Sequence, residues 1–229
     1  MSRAQILEGG ALLPQILERG SVALASRKPA GNRRRPLQFP PPSRDDRVTV
    51  TTPRNIAVPG AASFVTAVLH DRLPLFLYRP YCAIVLDALA FQRQSRKMRL
   101  HGFVIMPDHV HWVMTPAPPR TPSDLVRDIK TFTAKAIRGR LQHENAPDLV
   151  AALRRAVRRP ERQSYKVWQD GTWIHPLLNE DELRARIVYV HTNPVRAGLC
   201  VEAEGYQWSS ARSYERGDDE PIGIDRIEL

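Results

Sequence analysis

Residues 100–115 read LHGFVIMPDHVHWVMT, and this stretch decides the fold. The apolar, β-branched run 100–106 predicts a strand, Pro107-Asp108 a turn, and 109–115 a returning strand. Side chains alternate faces along a strand, so Val110, Trp112 and Met114 make one apolar, core-directed row. His109 and His111 share the other face, which is left toward a surface or cleft.

Working outward, residues 62–69 predict a preceding strand that ends in the polar turn His70-Asp71-Arg72. Residues 80–97 carry Ala, Leu and Ile at helical spacing and end in a basic stretch. Beyond the proline-laden connection 116–122, Ser123 opens a helix to about 141, with Leu125, Ile129, Phe132 and Ala136 on its apolar side. Residues 147–159 predict a further basic helix. Residues 180–192 predict the last long one, capped by Asn179 with Glu182 three residues on. The order strand–helix–strand–strand–helix predicts an α+β domain: an antiparallel sheet with helices packed on one face. No internal repeat is visible.

The chain has 229 residues, 42% of them hydrophobic and 25% charged, enough for one buried core and a tail. Thirty-four Lys and Arg against 24 Asp and Glu give a formal charge of +10, which favours a polyanionic partner. Half of that excess lies in residues 1–50, where nine basic residues meet four acidic ones. With Pro40-Pro41-Pro42 and Arg33-Arg34-Arg35, residues 1–52 are expected to form a disordered basic arm, either a counter-charge for phosphates or a solvated tail with no role. Two cysteines, Cys82 and Cys200, exclude a disulfide framework, a Cys-rich zinc site and an iron–sulfur cluster, and read as buried small hydrophobes. No apolar run approaches the roughly 20 residues of a membrane span. A cytoplasmic protein that meets nucleic acid is the class expected.

The His109-Val110-His111 pair puts two imidazoles on one side of a strand. Two such ligands can hold a divalent cation but cannot close a site, and two satisfied half-buried histidines remain an open reading. A second feature is Tyr189-Val190-His191-Thr192-Asn193-Pro194. Leu183, Ile187 and Val190 make the apolar stripe of the last helix, and Tyr189 lies about 100° around the axis from it. Asn193 falls one turn later on the same side, although Pro194 biases it away from helical dihedrals. By itself such a pair more often serves packing than chemistry. Together the pieces allow one reaction. His109, His111 and the Asn193 amide oxygen would hold a hard cation, Mg²⁺ or Mn²⁺, that polarises a phosphate. Tyr189 would be the nucleophile, its phenol (ordinary pKa about 10) needing activation by the ion or a bound water.

Four segments carry a resemblance to a known family: LHGFVIMPDHVHWVM (100–114), VWQDGTWIHPLLNEDEL (167–183), IVYVHTNPVRAGLC (187–200) and YQWSSARSY (206–214). They closely resemble the REP-associated tyrosine transposases of the IS200-like, single-tyrosine HUH nuclease superfamily, over roughly residues 54–215. The resemblance implies a ferredoxin-like α+β core acting on single-stranded DNA with hairpin-forming palindromes, a divalent metal and a covalent 5′-phosphotyrosine. His109 and His111 match the HUH histidines, Tyr189 the nucleophile and Asn193 the third ligand position. It also implies a monomer or homodimer associated with the nucleoid. The arm 1–52 has no counterpart, and residues 139–165 look like a longer, Arg-rich insertion within a domain at 53–215, followed by a tail at 216–229. A domesticated protein that grips hairpins without cutting is the alternative, and a metal hydrolase using water is a third reading. Loss of His109, His111 or Tyr189 would mark the domesticated form, and all three residues are present.

Single strands are held by basic grooves and by aromatic platforms on which bases stack. Candidates are Arg127, Lys130 and Lys135 on one predicted helix, and Arg154, Arg155, Arg158, Arg159 and Arg162 on the next. Trp168 and Trp173, flanking a turn-like segment, could stack on bases or belong to the core. His175 and Arg196 are further candidates for a phosphate. His70, His101, His143 and His191 are assigned no function, and Tyr206 with Trp208-Ser209-Ser210 reads as a packing cap on the core.

Overall fold

The computed structural model describes residues 58–144, 146–155, 157 and 165–229. The chain runs β1 (Ala62–Val68), α1 (Arg79–Gln94), β2 (Met98–Met106), β3 (His109–Pro116), α2 (Pro122–His143), α3 (Pro147–Arg155), β4 (Trp173–Leu177), α4 (Glu180–Arg196) and α5 (Ala211–Arg216). The arm 1–52 and Arg158, Arg159 and Arg162 lie outside the described residues.

The four strands form one antiparallel sheet in the order β2-β3-β1-β4, the arrangement of a ferredoxin-like split βαβ fold. The α+β class is as the sequence predicts. The strand β4 was not anticipated: it is short and carries Pro176, a residue that sheets tolerate at edge positions such as this one.

Alternation along the strands splits the core in two. Val65, Ala67, Ile105, Val110, Trp112 and Met114 pack with α1, α2 and α3. Phe64, Val104, Val113 and Leu177 pack with Ile187 and Val190 of α4. Helices therefore cover both faces, and the expectation of one helical face holds for α1, α2 and α3 only. The histidine face of β3 is accordingly no open surface but is roofed by α4. Burying Ile187 and Val190 completely stabilises this docking by about 1.5–3 kcal/mol per side chain. Gly102 of β2 sits at the contact. A Cβ there would meet Ser210 Oγ at 3.4 Å and Ile187 Cγ2 at 3.6 Å, ordinary van der Waals contact, so α4 and the segment after it pack directly on this strand.

Local signals explain the helix ends. Thr121, not Ser123, caps α2 in a reciprocal box with Asp124, and Pro122 takes the first helical turn. Asn179 caps α4 by accepting from the Glu182 N–H at 2.8 Å, while the Glu182 carboxylate takes the Leu178 N–H. The helix α4 continues past the predicted end at 192. Pro194 removes one hydrogen bond in the last turn, and the Ala197 N–H still reaches the Asn193 carbonyl at 3.0 Å.

The exposed edge of β2 is covered by the C-terminal segment. Ile105 N–H donates to the Trp208 carbonyl at 2.8 Å, Ser210 N–H to Phe103 at 3.0 Å and Asp225 N–H to Leu100 at 2.7 Å. Arg93 of α1 pairs with Asp225 at 3.0 Å, which pins the tail at the same edge.

Candidate metal and nucleophile site

The register of the sheet puts Thr66, His111 and Trp173 in one row and Phe64, Val113 and His175 in the next, all under α4. Phe64 is the hub. Its ring stacks on His111 at 5.2 Å and meets Trp173 edge-on at 5.3 Å and Tyr189 at 5.8 Å. The His111 ring lies 4.7 Å from His109 and 5.7 Å from Tyr189. The two histidines and the tyrosine singled out from sequence thus share one cluster, with Tyr189 half-buried at its rim.

Each imidazole is oriented by one ring nitrogen. His111 Nδ1 bonds Thr66 Oγ1 at 2.8 Å, and His109 Nδ1 bonds Asp108 Oδ1 at 2.5 Å. Arg72 in turn donates to Asp108 at 3.0 Å. Burial acts against the ionised Asp108 carboxylate, but His109 and Arg72 outweigh it and hold the group below the ordinary carboxylate range. Burial above all, with electrostatic contributions from His109, Arg186 and Arg72, pushes His111 well below the usual imidazole value. His111 is therefore neutral at physiological pH.

His111 Nε2 is buried and, among the described residues, has no hydrogen-bond partner. A buried polar nitrogen in that condition costs about 1–3 kcal/mol, which a bound ligand would relieve. Orienting partners on the remote ring nitrogen, together with a neutral imidazole, are what metal-ligating histidines require. The pair fits a divalent cation. Among the described residues no group of three His, Cys, Asp or Glu side chains is placed to bind one, so a further ligand drawn from those residues would be of another type. Asn193, buried in α4 one turn beyond Tyr189, has the hard amide oxygen such an ion accepts.

Of the candidates for DNA contact, three adjoin this cluster. Trp173 and His175 stack in parallel at 5.2 Å along β4, and Arg196 lies 5.4 Å from the Tyr189 ring centroid. Arg127, Lys130, Lys135, Arg154 and Arg155 belong to α2 and α3, across the sheet, and are not brought to it. Arg127, exposed, pairs with Asp124 at 3.0 Å, whereas Lys135, Arg154 and Arg155 are exposed. Lys130 donates to Thr172 Oγ1 at 2.9 Å and to the Gln169 carbonyl at 3.1 Å, fastening the turn before β4. Trp168 is core, not platform: it is buried against Phe76 and donates to Thr133 Oγ1 at 3.0 Å. Cys82 is buried as expected, whereas Cys200 is partly exposed.

Sequence reasoning missed Phe64, Thr66, Arg72, Asp108 and Arg186. Asp108 had a signal, since it immediately precedes the paired histidines, and Arg186 lies one helical turn before Tyr189. Phe64 and Thr66 gave none, because an alternating strand carries such residues anywhere.

Among the described residues no helix is long and apolar enough to cross a membrane. Residues 80–149 match the family model for IS200-like transposases, a span that runs from α1 into α3 and includes both histidines but not Tyr189. A REP-associated tyrosine transposase from Escherichia coli (strain K12) is 20% identical over 157 residues, covering 69% of this chain and 80% of that protein. The solved structure of a REP-associated tyrosine transposase bound to a REP hairpin is 20% identical, with a TM-score of 0.54. It covers 77% of this chain and 98% of the other, and shares the fold. The family match over 80–149, the relative and the shared fold agree in making this chain similar to the IS200-like transposases.

Proposed function

We propose that the chain is a metal-dependent single-stranded DNA endonuclease and strand transferase that cuts beside hairpin-forming palindromes through a 5′-phosphotyrosine on Tyr189. The observation that carries this reading is the convergence of His109, His111 and Tyr189 on one face of the sheet, with His111 Nε2 buried and unbonded. The hairpin bound by the solved relative supports DNA of that form as the partner.

His109 and His111, through ring nitrogens, and Asn193, through its amide oxygen, would hold Mg²⁺ or Mn²⁺. Such an ion supplies Lewis-acid polarisation of a non-bridging phosphate oxygen and offsets charge developing in the transition state. Asp108 and Thr66 fix the rings that present those nitrogens. The Tyr189 phenol oxygen attacks phosphorus, the bond from phosphorus to the 3′ oxygen breaks, the phenol proton departs and the 3′ oxygen takes one up. A phosphotyrosine diester and a free 3′-hydroxyl result. One phosphoester replaces another, so the strand can be rejoined to a new hydroxyl without ATP. The distance from Tyr189 to its own His111 supports action within one chain, whether monomer or homodimer. A DNA substrate would place the protein at the nucleoid.

Incubating a labelled hairpin oligonucleotide with the protein and Mn²⁺ or Mg²⁺ tests this. The expected outcome is a covalent adduct on denaturing gels that disappears with EDTA and in Tyr189→Phe. Cutting that survives Tyr189→Phe would indicate water as the nucleophile, and binding without cutting would indicate a domesticated DNA-binding protein.

A further inference from the structure

On α4, one turn before Tyr189, Arg186 is half-buried and aims its guanidinium into the aromatic cluster. Its central carbon lies 5.2 Å from the Phe64 ring centroid, 5.8 Å from Trp173 and 5.8 Å from Tyr189. Among the described residues no carboxylate pairs with it, whereas Arg184, two residues earlier, bridges Glu180 at 3.1 Å. Ring faces attract a cation, but each contact compensates only a fraction of the hydration lost on burial. A planar fork of five donors is thus held, without a counter-ion, beside the phenol at which a phosphodiester would react.

We propose that Arg186 is a phosphate-binding residue of this site, donating to a non-bridging oxygen of the DNA phosphate presented to Tyr189. The packing of the guanidinium among Phe64, Trp173 and Tyr189 makes the donor rigid before DNA arrives, so little order is lost on binding. The parallel Trp173–His175 pair next to it offers a flat surface for an adjoining base. This inference rests on the strand-transfer reading above for the identity of the phosphate.

The test uses the full chain in the non-cleaving Tyr189→Phe background and a fluorescent hairpin oligonucleotide with a single-stranded oligothymidylate tail. Affinity is measured by anisotropy over a range of salt concentrations. Each phosphate neutralised on a single strand adds about 0.7 to the magnitude of the slope of log affinity against log salt. Arg186→Gln and Arg186→Met are expected to reduce that magnitude by about 0.7 with melting temperature held, and Arg186→Lys to preserve it. An unchanged slope in the neutral variants overturns the proposal. So does failure of both to fold while Arg186→Lys folds, since the cation would then be structural. In proteins that retain Tyr189, Arg186→Gln should slow adduct formation at saturating DNA by roughly 100-fold. If the parent protein forms no adduct, the strand-transfer reading fails, and the salt slopes still decide whether Arg186 meets a phosphate.

Discussion

His111 is buried, neutral and half-satisfied: Thr66 engages one ring nitrogen and, among the described residues, no protein atom engages the other. That state is costly in a core and useful at a metal site, where a lone pair must be presented without a proton. The neighbouring His109 depends on Asp108 in the same way, with Arg72 steadying the carboxylate. Replacing Asp108 with Ala should therefore weaken Mn²⁺ binding roughly 10–100-fold, measured by calorimetry, while leaving the fold intact. His191 makes a different point about buried imidazoles. It bonds Ser210 Oγ at 2.9 Å, and burial pushes its pKa down to about 4. Because the folded value is depressed, the unfolded chain binds more protons between about pH 6.5 and 4, and stability falls as pH drops through that window. Its contribution to that loss is about 3 kcal/mol. His191→Gln should flatten the acid limb of a denaturation series by about that amount.

At the scale of elements, α4 combines two stripes. Leu183, Ile187 and Val190 fasten it to the sheet, and Arg186, Tyr189, Asn193 and Arg196 follow at spacings of three, four and three along an adjoining face. The apolar stripe and the position of Tyr189 were legible because helical periodicity is regular. Arg186 was not, since an arginine beside an apolar stripe usually reads as a solvated side chain, and only the partner rings from β1 and β4 reveal its setting. The strand β4 escaped notice for a related reason: five residues with an internal proline give too short an alternation, and its pairing with β1 is a contact more than 100 residues apart in sequence. The turn before β4 is held by Lys130, whose ammonium burial brings down to about 8, with Asp170 opposing and Lys166 adding to the shift. A lysine depressed in the folded state makes stability rise with pH between about 8 and 10.4, where the unfolded chain still holds the proton. Urea midpoints measured near pH 7.5 and near pH 10 should accordingly diverge in the wild type and draw together in Lys130→Met.

Across the whole molecule, the sheet separates two populations of charge. The basic residues of α2 and α3 lie across the sheet from the His–Tyr cluster. The long-range field of a +10 chain favours a polyanion, whereas the proposed reaction would depend on a few groups from β1, β3, β4 and α4 meeting under one roof. The sequence patterns announced the hairpin of β2 and β3 and the tyrosine helix. They pointed to every helix on one face, whereas α4 lies on the face opposite α1 and α2, because alternation assigns residues to faces without saying what covers each face. The most direct test of the account is to react the protein with hairpin DNA and Mn²⁺, digest the adduct and map the modified peptide by mass spectrometry. The account predicts a 5′-phosphonucleotide on Tyr189 and a free 3′-hydroxyl on the released strand. Cleaved DNA with an unmodified Tyr189, or an adduct on another residue, would contradict it.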